Sequence, residues 1–174
     1  LSRGLRLVMD RHIDRIADVI NELKNNPDGR RIIVDTYSSR QKDFAALPPC
    51  HSLFQFYTKE EDGVRKLSVL IYLRSSDAPV GRPFNIGNYA LLCMLIAHVT
   101  GHVTDELVVV RGDDHIYLDQ VDLVKEQIER EPYEQTVTVK LNPEVTNIDD
   151  FKFEDITVEG YEKFHPSIKY PVGV

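Results

Sequence analysis

Apolar positions along this 174-residue chain change period several times, and each change marks a structural element. From Asp10 to Leu23 the residues Ile13, Ile16, Ala17, Ile20 and Leu23 recur at three and four, which predicts an amphipathic helix with Asp10 as its cap. The turn Asn26-Pro27-Asp28-Gly29 ends it. Arg31–Tyr37, Ser52–Thr58 and Leu67–Leu73 are rich in β-branched and aromatic residues and read as strands, the last two joined by the polar turn Lys59–Gly63. Phe84–Val99 is the most apolar stretch, long enough for a core helix opened by Pro83. Leu107–Val110 reads as a short buried strand, Val121–Arg130 as a helix stopped by Pro132, and Thr136–Leu141 as an edge strand before Asn142-Pro143. The pattern predicts an α+β fold in one domain over residues 1–174, because no repeat, low-complexity tract or linker divides the chain.

Composition narrows the class. The 42% apolar content suits a globular core, and a net charge of −7 gives no footprint for wrapping nucleic acid, although clustered arginines can still hold a small phosphorylated ligand. Cys50 and Cys93 share no regular spacing, which favours free thiols in a reducing compartment over a disulfide. No apolar run reaches the length of a membrane span, and the start lacks a signal-peptide pattern, so a cytoplasmic enzyme is expected.

Cys50 is the candidate nucleophile. An unperturbed thiol, with a pKa of about 8.5, is mostly protonated near neutral pH and needs positive charge nearby. His51 adjoins it in sequence, and Arg30, Arg31 and Arg74 lie at predicted strand ends from which a fold can bring them to the thiol. The plainer alternative is a small apolar residue at a strand start. Cys93 and Met94, among Leu91, Leu92, Leu95 and Ile96, read as core, and His98 and His102 lack ligand-like partners for a metal.

Leu47-Pro48-Pro49-Cys50-His51 is followed by Phe54-Gln55-Phe56-Tyr57, Arg74-Ser75-Ser76-Asp77, Pro83-Phe84-Asn85-Ile86 and Gly112-Asp113-Asp114-His115-Ile116-Tyr117. The end adds Phe153-Glu154-Asp155, Glu159-Gly160-Tyr161, His165-Pro166 and Pro171-Val172-Gly173-Val174. In this order, from about Arg11 to Val174, the blocks resemble the thymidylate synthase family. The resemblance implies a sheet packed against helices, one sheet face forming the interface of a homodimer, and transfer of a one-carbon group from 5,10-methylenetetrahydrofolate to C5 of dUMP without a metal. Cys50 would add to C6 of the uracil ring. Dihydrofolate and dTMP would be the products.

Residue by residue, the resemblance implies further roles. Asn85 reads the pyrimidine edge, accepting from N3–H and donating to O4, which suits uracil; an aspartate there would favour cytosine. Its plainer role is to cap the helix beginning near Pro83. Arg74 and Ser75 hold the phosphate, with the guanidinium also close to the thiol, whereas a solvated strand end is their bland reading. Arg30 and Arg31 reach the other subunit's phosphate, although by themselves they read as a surface charge cluster. His115 and Tyr117 hold the ribose 3′-hydroxyl, two apart on an extended segment and so on one face. Asp77 meets both pyrimidine and pterin, or merely begins a turn before Ala78-Pro79. Gly81, Leu47 and Gly173 join Asp77 on the folate, with Gly173 and Val174 in a closing lid.

The chain departs from the family pattern in places. Most of the family's N-terminal portion is expected to be absent, with its arginine, glutamate and tryptophans, and the sequence contains no tryptophan. Leu73 replaces a glutamine, Arg82 an apolar residue, Asn88 a serine and Tyr37 a tryptophan. Two alternatives stand beside the methylase: a hydroxymethylase, in which water captures the exocyclic methylene, and a non-catalytic nucleotide-binding dimer.

Overall fold

The computed structural model describes residues 14–37 and 48–171. Helix α1 (Arg15–Asn25) starts after Asp14, whose backbone is extended and whose carboxylate accepts the Ile16 and Ala17 amides at 3.1 and 3.0 Å. Those two N–H groups have no partner inside the helix, so the carboxylate ends the problem locally. Asp14 therefore caps this helix in place of the expected Asp10, which lies outside the described residues.

Strand β1 (Ile33–Asp35) is shorter than Arg31–Tyr37, whereas β2 (His51–Glu61) and β3 (Val64–Asp77) are longer than expected. The supposed five-residue turn shrinks to Asp62-Gly63, at φ 52° and 75°. Two residues with positive φ make the hairpin turn that matches strand twist, and an Asp-Gly pair adopts it at little cost. Lys59, Glu60 and Glu61 consequently stay in the ladder opposite Lys66, Arg65 and Val64.

Helix α2 (Gly81–Thr100) ends on Gly101 at φ 74°, and β4 (Val103–His115) then returns parallel to β3. The sheet runs β1-β2-β3-β4. Leu107–Val110 is only the middle of β4; the flanks Thr104–Glu106 and Arg111–Asp114 are polar because an edge strand meets solvent there. After a 3₁₀ turn at Leu118–Gln120 comes α3 (Val121–Ile128), and β5 (Thr138–Leu141) pairs with β6 (Ile156–Glu159) in a separate small sheet. The four-residue β6 carries too little pattern to be seen in sequence.

Alternation decides where the core lies. Leu67, Val69, Ile71 and Leu73 project from one face of β3, joined by Phe54 and Phe56 of β2 and by Ile32 and Val34. Val19 and Leu23 of α1 and Tyr89, Cys93 and Ile96 of α2 close over them. The opposite face carries the cross-strand row Ile33, Gln55, Leu70, Val108 and the row Leu53, Tyr72, Val110. That face stays open, with Ile33 43% and Val110 42% exposed. No described helix is long and apolar enough to cross a membrane.

Register shifts once in β2. His51 pairs with Leu73 but Leu53 pairs with Tyr72, leaving Ser52 as the extra residue of a bulge. The bulge turns His51 toward α2 and brings Cys50 opposite Arg74. Ile71 is fully buried between the layers, so Ile71→Ala should lower the unfolding free energy by about 2–5 kcal/mol in a urea titration; a loss below about 1 kcal/mol contradicts this packing.

Candidate active site

Parallel β3 and β4 end at the same edge of the sheet, and α2 begins there. Parallel sheets gather functional groups beyond the carboxyl ends of their strands. Asp77 ends β3 opposite His115, and the Ala78 amide donates to the His115 carbonyl at 2.9 Å. Cys50 reaches this edge because β2 runs antiparallel and starts there.

Arg74 holds the cysteine segment. Its backbone amide donates to the Cys50 carbonyl at 2.9 Å, while its Nε and Nη2 donate to the Pro49 and Pro48 carbonyls, each at 2.9 Å. The guanidinium also lies over the Tyr37 ring, 5.6 Å from the centroid, within the range of a cation–π contact. Cys50 is half-buried and free, whereas Cys93 is buried in the core with its thiol pushed up to about 11, first by burial.

His51 offers the thiol little. Burial lowers its pKa, and its ring packs edge-on against Tyr89 at 5.8 Å, on the core side of the sheet. Among the described residues, Arg74 brings positive charge to the Cys50 segment.

Asn85 is in the second turn of α2; the cap position is Val80, with no side-chain cap, so the capping alternative fails. It precedes Tyr89 by one turn, and Tyr89 packs on His51 and Phe54. Residues four apart share a helix face, so Asn85 leaves α2 on the side of the Cys50–His51 strand end. Asp77 does begin a turn: its Oδ1 accepts from the Val80 amide at 3.4 Å. Gly81 opens α2 beside it, and a Cβ there would stand 3.6 Å from the Asp77 Cβ. His115 and Tyr117 lie edge to face at 4.9 Å, and His115 Nδ1 is buried without a hydrogen-bond partner, 3.5 Å from Asp113 Oδ1.

Ser75 follows Arg74 on β3 but alternates to the other side, so an anion held by both must lie over the strand end. Arg30 and Arg31 are not brought to their own chain's thiol. The Phe56 amide donates to the Ile32 carbonyl, and Cys50 lies six residues back, just before the start of β2, roughly 20 Å away at extended rise. Leu47 and Gly173 lie outside the described residues.

Some participants were not foreseen. Gln120, buried, donates to Asp77 Oδ2 at 3.4 Å and accepts from the Tyr117 amide at 3.2 Å. Its signal was a glutamine placed to reach back three residues at a helix start. Arg82 and Arg111 flank the Asp114 carboxylate at 2.9 and 2.8 Å, which accounts for the charge at position 82. Leu73 points into the core, Asn88 is exposed, and the His98 and His102 rings bond Val145 and Thr100 at 2.8 Å. No group of three metal-ligating side chains stands together among the described residues. A broad cleft of about 880 Å³ lies beside the site, sharing Pro79 and Val80 with the turn after Asp77 and lined by Phe84, Arg130, Tyr133 and Lys163, but by neither Cys50 nor Arg74.

Iodoacetamide should alkylate Cys50 in the native protein and Cys93 only after denaturation, read by peptide mass; equal labelling contradicts their burial. Gly112 faces the Arg74 backbone so closely that a Cβ would stand 2.9 Å from the Arg74 carbonyl oxygen. Gly112→Ala should therefore cost about 1–3 kcal/mol in thermal or urea unfolding and change the Cys50 alkylation rate. In a comparison with known families, a family model described as thymidylate synthase matches residues 3–174.

Proposed function

Because the chain belongs to the thymidylate synthase family, whose members transfer a one-carbon unit from methylenetetrahydrofolate to a pyrimidine nucleotide, we propose that it converts dUMP to dTMP. The observation that carries this reading is Cys50 held opposite Arg74 at the same sheet edge as Asp77, His115 and the start of α2.

In this reading the Cys50 thiolate bonds to C6 of the uracil ring, and the electron pair moves to C5 and the ring carbonyl. The Asn85 amide, donating to O4 and accepting from N3–H, stabilises that charge where it develops. A guanidinium has five N–H donors, and Arg74 commits two to Pro48 and Pro49. Three are left for the phosphate beside the thiol. Ser75 meets the same phosphate over the strand end, and His115 and Tyr117 share one side, where they meet the ribose 3′-hydroxyl. Asp77, with Gly81 next to it, receives the pterin; Leu47 and Gly173 complete that side. The folate would supply the methylene to C5, which gives up its proton, and then a hydride as the Cys50–C6 bond breaks and the thiolate is released, so that the co-substrate leaves as dihydrofolate. Phe84 and the cleft beyond Val80 offer aromatic and cationic surface for the rest of that co-substrate.

Dimerisation belongs to the same reading. The open sheet face is apolar, and Arg31 alternates onto it with Ile33 while Ile32 and Val34 turn to the core. An isologous pairing through this face gives Arg30 and Arg31 a phosphate to reach in the second subunit, which their distance from their own Cys50 denies them.

Incubation with 5-fluoro-dUMP and methylenetetrahydrofolate should add both masses to Cys50 under denaturing conditions, and Cys50→Ser should abolish the adduct. Nucleotide binding without any adduct favours the non-catalytic alternative. Turnover of dUMP should release dihydrofolate; a hydroxymethylated product with no dihydrofolate favours the hydroxymethylase. Asn85→Asp should shift preference from dUMP toward dCMP, read as relative kcat/KM. Mixing Cys50→Ala protein with an Arg30→Ala/Arg31→Ala double variant and allowing subunits to exchange should restore about a quarter of the unaltered activity, the share expected for random hybrids with one intact site each. No recovery rejects arginine sharing between subunits.

A further inference from the structure

Ser68, Ser76 and Gln120 are the buried polar side chains among the described residues. Ser68 belongs to the far end of the sheet, where it bonds Asp105 at 3.2 Å. Gln120 is different, because its partners come from three separate segments around the site. Its Oε1 accepts from the Tyr117 amide at 3.2 Å; its Nε2 donates to Asp77 Oδ2 at 3.4 Å and to the Pro171 carbonyl at 3.0 Å.

An amide nitrogen has two hydrogens, and here each goes to a different segment. Proline has no N–H, so the carbonyl is the only backbone hydrogen-bonding group Pro171 possesses, and Gln120 takes it. The bond to Asp77 is long, as is the one from Val80 to its other oxygen, so this carboxylate keeps capacity for further donors. A fully buried amide has no water to fall back on, and a shift at one partner is felt at the others.

We propose that Gln120 is a positioning residue that couples the nucleotide half of the site to the folate half. The proposal rests on the reading above, in which Tyr117 holds the ribose and Asp77 the pterin. A nucleotide that fixes Tyr117 fixes the Gln120 amide. The amide then presents Asp77 in its folate-binding orientation and holds the chain at Pro171. Folate affinity accordingly depends on nucleotide through one side chain that touches neither ligand.

The test is a linkage measurement. Methylenetetrahydrofolate affinity is determined by calorimetry with and without 5-fluoro-dUMP, for the unaltered protein and for Gln120→Met, which keeps length and volume but removes the three bonds. Nucleotide should tighten folate binding at least about fivefold in the unaltered protein and less than about twofold in the variant, while nucleotide alone binds both within about threefold. Equal coupling in both proteins overturns the proposal and leaves the functional reading intact. Absence of nucleotide binding in the unaltered protein overturns that reading and the proposal with it. Amide hydrogen exchange on the unaltered protein decides the matter without the variant: nucleotide alone should slow exchange at Ile168 to Tyr170. Unchanged exchange there overturns the coupling.

Discussion

The guanidinium of Arg74 lies on the carbonyls of Pro48 and Pro49, and the cysteine-bearing end of the sheet depends on that contact. Two consecutive prolines offer a neighbouring strand no N–H, so an ordinary ladder cannot hold them. Their carbonyls are all that can be grasped, and a charged donor grasps them better than a neutral one. The same residue is fixed from behind, since its backbone amide bonds Cys50 and Gly112 allows β4 to approach its carbonyl. Arg74 is thus both the tether of the cysteine segment and a source of positive charge beside it.

The bulge at Ser52 complements this tether. Without the extra residue, alternation would carry Cys50 to the opposite side of the sheet from Arg74. With it, the neighbouring His51 turns into the apolar layer under Tyr89, where burial favours the neutral imidazole. Adjacent residues therefore face opposite sides of the sheet, and a single inserted residue divides them.

Several of these features were legible in the sequence. The three-four spacing of Ile16, Ile20 and Leu23 and the apolar run from Phe84 gave the helices, and the ordered blocks around Cys50, Arg74 and His115 gave the family and the fold. Helix starts and strand lengths were less legible. Asp14 and Asp10 are equally good caps on paper, and β4 hides its ends because an edge strand tolerates charge. Proximity was harder still: strand ends alone put Arg30, Arg31 and Arg74 on equal terms, the family resemblance set Arg74 apart, and strand register places Arg74 beside Cys50 and Arg30 and Arg31 away from it. Gln120 left only a local trace, a glutamine that reaches back three residues at a helix start, and its wider role was hidden for another reason. Its three bonds join residues 43 and 51 positions away to one close by, and no local pattern announces such a convergence.

The crossover through α2 also orders assembly in time. Cys50 and Arg74 meet across a tight hairpin, whose ends find each other quickly, whereas Asp77 meets His115 only after an entire helix has docked and the chain has returned in parallel. The Cys50 segment and the Arg74 guanidinium are thus partners close along the chain, whereas the edge shared by Asp77 and His115 waits for the crossover through α2 to close.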